Sequence, residues 1–62
     1  MLLFASSPQA AGDIVAALGS AGFEVSLQPE YGTKAVFAEA AGDRKAEVLD
    51  IAKAADPDVR VR

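Results

Sequence analysis

Residues 23–28, FEVSLQ, alternate apolar and polar side chains without a break, Phe23, Val25 and Leu27 against Glu24, Ser26 and Gln28. A period of two marks a strand with one face buried and the other wet. PEYGT follows, where Pro29 presets its own φ and Gly32 tolerates a positive one, and KAVFAEA then returns as a second strand. A hairpin over residues 23–40 therefore occupies the middle of the chain, and the flanking segments must pack around it.

Both flanks contain helical spacing. From Pro8 to about Ala21, Ala10, Ala11, Ile14, Val15, Leu18 and Ala21 share one broad helical face, while Gln9, Asp13 and Ser20 fall on another. Ser7 is the expected N-cap, Pro8 the first helical residue, and Gly22 the stop. A second helix is expected after Gly42-Asp43, with Asp43 as N-cap and an apolar face of Val48, Leu49, Ile51, Ala52 and Ala55. Asp56-Pro57 ends it, because the residue before proline is pushed out of the helical region. MLLFA at the start reads as a buried strand. VRVR at the end reads as another, with Val59 and Val61 inward and Arg60 and Arg62 outward.

The order βαββαβ has two βαβ halves. Right-handed crossovers and one hairpin predict an α+β two-layer sandwich: a four-stranded antiparallel sheet in order 4-1-3-2 with both helices on one face, the arrangement called ferredoxin-like. Orders such as 2-1-3-4, or a hairpin exchanged between chains, keep the same elements. The arrangement serves many unrelated functions and names none.

At 62 residues the chain is one domain, residues 1–62, of a size that buries only about 60% of its unfolded surface. With no cysteine it has neither a disulfide nor a thiolate zinc site, which suits a reducing, cytoplasmic setting. The apolar start lacks a basic segment before it and is taken as a strand, not a signal peptide, and the initial Met as the start of a complete small protein. No stretch has the length of a membrane span. Nine acidic residues against six basic ones give a net charge of −3, which opposes binding to nucleic acid.

Catalytic signals are sparse. No histidine is present, and no Cys-His or Ser-His pair exists for nucleophilic chemistry. Asp43 and Glu47 share a helix face, as acids in a first turn commonly do, and Asp56 and Asp58 flank Pro57 like turn residues, without a calcium-loop pattern. The chain is expected to be no enzyme, with no cofactor and no metal.

Two places remain as candidate sites. At the strand-to-helix junction, Ser6 and Ser7 stand where free helix amides attract an anion, which would suit a small-ligand or anion-binding regulatory domain. Pro8 removes one donor, no glycine lets the backbone wrap a phosphate, and Asp13 repels, so an ordinary cap is the preferred reading.

The second place is the third strand. If Ala35 and Phe37 faced the helices, Glu39 would be driven the same way. If Val36, Ala38 and Ala40 do, Phe37 stands on the uncovered face of the sheet. An unpaired buried carboxylate is costly, so the second register is favoured.

Beside Phe37 the first strand offers either Leu3 with Ala5 or Leu2 with Phe4, and Leu3 is counted in the expected contact set. Glu24, Ser26 and Gln28 border this apolar centre on one side, Arg60 and Arg62 on the other. Opposite charges at the two rims suit a self-complementary surface, so a homodimer or a protein partner is expected, with Tyr31 at the hairpin tip as a secondary anchor. Phe4 and Phe37 on central strands also have the positions used by base-stacking sheets. The glycine- and aromatic-rich signature of those sheets is missing from KAVFAEA. Gly12, Ala16 and Gly19 form a small stripe on the first helix, read as solvent-facing.

Overall fold

A computed structural model describes residues 1–62. Its elements are β1 (Leu2–Phe4), α1 (Pro8–Ser20), β2 (Val25–Leu27), a single 3₁₀ turn (Pro29–Tyr31), β3 (Ala35–Ala38), α2 (Arg44–Ala55) and β4 (Arg60–Val61). All strand pairs are antiparallel, in the order β2-β3-β1-β4, which counted from the β4 edge runs 4-1-3-2. The fold is α+β, two helices with one four-stranded sheet.

Helix α1 is closed tightly at both ends. Ser7 is extended and its Oγ accepts from the Ala10 amide at 3.0 Å. At the other end Gly22 takes φ 92°, its amide donates to the Gly19 carbonyl at 3.1 Å, and the Phe23 amide donates to the Leu18 carbonyl at 3.0 Å. This is the paired-bond helix stop that needs a left-handed residue, and it delivers Phe23 into the core beside Leu18.

Helix α2 starts differently from the expectation. Asp43 holds the N-cap position, but its backbone is already helical (φ −73°, ψ −13°), and its side chain makes no capping bond. A cap aims its oxygen back at the first amides from an extended backbone, which Asp43 lacks. The Arg44 amide instead donates to the Ala41 carbonyl at 3.1 Å.

The core lies between the helices and one face of the sheet. Leu3, Val36 and Ala38 meet Ile14 and Leu18 of α1 and Val48 and Ala52 of α2, all fully buried. Ala11, Phe23 and Val59 complete its margins, while Ala21 lies past the helix end and is exposed. Pairing of Val36 with Leu3 and Leu27, and of Ala38 with Val25, sets these side chains on the helix side. Leu27 and Val61 have the inward parity yet are exposed, because each stands on an edge strand at the rim of the helix layer. No helix is long and apolar enough to cross a membrane.

Candidate functional site

The register that buries Val36 and Ala38 turns Phe37 outward. Side chains on the uncovered face form two full rows across the sheet. One row runs Gln28, Ala35, Phe4, Arg60, and the next runs Ser26, Phe37, Leu2, Arg62. The pairing of Val25 with Ala38, together with the Glu39 amide donating to the Glu24 carbonyl at 2.9 Å, begins a third row of Glu24 and Glu39.

Phe37 is 39% exposed, and Tyr31, at 55%, shares a shallow groove with Leu2, Gln28 and Phe37. Leu2 and Phe4 are half-buried. Ala35 is nearly inaccessible although it lies outside the core cluster, as its small side chain sits between the larger Phe4 and Gln28 of its row.

Leu3 requires a correction: it is 0% exposed, packed beneath the helices, and takes no part in the open face. Since MLLFA is apolar on both sides, its direction is set only by pairing, and the partner of Leu3 is the inward Val36. Leu2 and Phe4 take its place beside Phe37. Glu24 stands at one rim and Arg60 and Arg62 at the other, all exposed, as expected from alternation. Glu39 joins the acidic rim, a consequence of its sharing parity with Phe37.

The second candidate resolves into an internal contact. Asp56, 4% exposed, reaches across the chain to the β1–α1 junction. Its carboxylate accepts from the Ser6 amide at 2.7 Å, the Ser6 hydroxyl at 2.9 Å and the Asp58 amide at 3.2 Å. The anion at this junction is thus a side chain of the protein itself. Ser7 caps α1, the preferred reading of this junction, and the Ser6 donors that the alternative reading offered to an external anion are taken by Asp56, forming a latch between the end of α2 and the start of α1.

The Ser6 amide bond, aided by the Ser6 hydroxyl and the Asp58 amide, holds the Asp56 carboxyl below its ordinary value of 3.8 against the opposing effect of burial. The local half of this arrangement, an aspartate bonding the amide two residues on, was readable as a turn. The half that spans fifty positions leaves no mark in sequence.

Elsewhere Arg44 lies 4.2 Å above the Phe23 ring and 3.3 Å from Glu47, closing the core margin below α2. Gly12, Ala16 and Gly19 are exposed, as expected for a solvent-facing stripe. No group of three or more Asp, Glu, His or Cys side chains is placed to hold one metal ion.

Set against protein-family models, curated proteins and solved structures, the chain matches none. Function must therefore be derived from its own surface.

Proposed function

We propose that this chain is a non-enzymatic protein-interaction module that associates with a second copy of itself through the open face of its sheet. One observation carries the proposal: on the two central strands both phenylalanines, Phe4 and Phe37, stand with Leu2 on the side no helix covers, while the buried side presents only the aliphatic Leu3, Val36 and Ala38. Two phenylalanines on exposed central strands leave apolar surface in water, and apolar surface of this kind gathers at interfaces. A short chain gains from the arrangement, since association adds to the stability of a thin core. The carboxylates of Glu24 and Glu39 beside the rings disfavour a phosphate backbone on the same face.

Sedimentation equilibrium over a range of concentrations tests the reading. The native chain is expected to approach twice the monomer mass as concentration rises. Phe37→Glu is expected to remain monomeric with an unchanged far-ultraviolet circular dichroism spectrum, because position 37 lies outside the core cluster. A native chain that stays monomeric up to about millimolar concentration, the weakest affinity worth calling association, would remove the proposal.

A further inference from the structure

The two rows on the open face carry enough information to orient the pair, an inference that rests on the reading of this face as the association surface. We infer that the two copies meet face to face about a two-fold axis parallel to the strands and running between β3 and β1. Rotation about such an axis keeps each row opposite itself and exchanges the two edges of the sheet. Row by row, Phe37 then faces Leu2 of the second copy, and Ala35 faces Phe4. Ser26 faces Arg62, and Gln28 faces Arg60.

Charge selects this axis over the other in-plane choice. The acidic rim of Glu24 and Glu39 lies on the β2 side and the arginines on the β4 side. Exchanging edges brings the acidic rim beside Arg62 of the second copy. An axis perpendicular to the strands would instead lay β4 on β4 and bring arginine against arginine, a juxtaposition that like charges penalise.

Ala35, only 1% exposed, is closed over by its neighbours, so the apolar contact across the axis falls to Phe37 and Leu2, which meet twice over by symmetry. Packed sheets align within about 30° because each is twisted, so the central pairs hold the register while the rims diverge.

The size of the face sets the strength. Four strands spaced about 4.8 Å apart offer a face roughly 20 Å across, or on the order of 500 Å² per copy once side-chain relief is included. Interfaces of about 1,000 Å² in total belong to the weak, concentration-dependent class. A dissociation constant of about micromolar or weaker is expected.

Single-thiol cross-linking decides the axis, and the absence of native cysteine leaves one thiol per variant. Ser26→Cys and Arg62→Cys are prepared separately, mixed, and treated with a bis-maleimide whose reach matches the spacing of about 10 Å between packed sheets. The expected result is a covalent pair in the mixture and none in Ser26→Cys alone, whose two thiols would lie on opposite edges. A covalent pair in Ser26→Cys alone, with dimeric mass that Phe37→Glu abolishes, would overturn this axis and leave the open-face reading standing. Monomeric mass for the native chain at every concentration would overturn both.

The Arg60→Glu/Arg62→Glu double variant adds a second readout. It should weaken association by about tenfold, since it sets acid against the acidic rim. Unchanged association would count against the edge exchange.

Discussion

Leu2 and Leu3 are the same side chain at adjacent positions, and the fold uses them for opposite purposes. Leu3 lies under both helices with no exposure, whereas Leu2 stands half-buried beside Phe37 and Tyr31. Only parity separates them, because successive side chains on a strand point to opposite faces. The comparison shows that one strand serves two surfaces, one filled by the chain's own helices and one available to another molecule. It also shows that hydrophobicity alone does not say which residue holds the fold and which faces outward.

The sharpest way to break the comparison is to truncate both positions. Leu3→Ala should cost about 2–5 kcal/mol, comparable with the whole stability of so small a domain, and leave the chain largely unfolded by circular dichroism. Leu2→Ala should cost less than about 1.5 kcal/mol when measured in dilute solution, since that side chain is only partly buried and its loss opens no enclosed cavity. Its cost should grow at concentrations where the chain associates. Equal losses in dilute solution would mean that the two faces are not distinct.

A second prediction concerns the latch that fixes the start of α1 against the core. The folded carboxyl of Asp56 titrates below 3.8, chiefly because the Ser6 amide bonds its charged form. A depressed carboxyl contributes stability that is complete above the ordinary range and is lost as pH falls through 3.8 toward the folded value. Thermal melts at descending pH should show Tm falling in that window. Asp56→Asn should start from a lower Tm at neutral pH and lose part of the acid-side slope. A variant with the native slope would place the acid sensitivity elsewhere.

The smallest expected effect tests the outer side of α1, the counterpart of its buried stripe. A Cβ at Gly12 meets nothing within 4 Å. Gly12→Ala should therefore stabilise the chain by about 0.5–1 kcal/mol by limiting the unfolded backbone, read as a raised Tm with unchanged association. A loss of association would show that this stripe, and not the sheet alone, touches the second copy.

Much of the fold was legible because the sequence changes period at the right places. The clean alternation of residues 23–28 and the helical spacing of residues 8–21 placed the hairpin and α1, and Ser7-Pro8 and Gly22 marked the helix ends. Strand ends were less legible, as Leu27 and Val61 show: parity turns them inward, but only the extent of the helix layer decides whether an inward side chain is covered. Asp43 misled for a related reason. Residue type suits a cap, yet capping depends on the backbone angle, which the preceding turn sets.

The amino-acid order by itself determined the alternation of elements and the outward parity of Glu24, Arg60 and Arg62, and it favoured, without deciding, an outward Phe37, because a carboxylate at Glu39 on the same parity resists burial. Tertiary structure decided the rest. Pairing with Val36 chose Leu3 over Leu2 for the core, and the closing of the chain brought Asp56 to Ser6. Local periodicity can report only on neighbours a few residues apart, while a register and a contact across fifty positions exist only once distant segments have met.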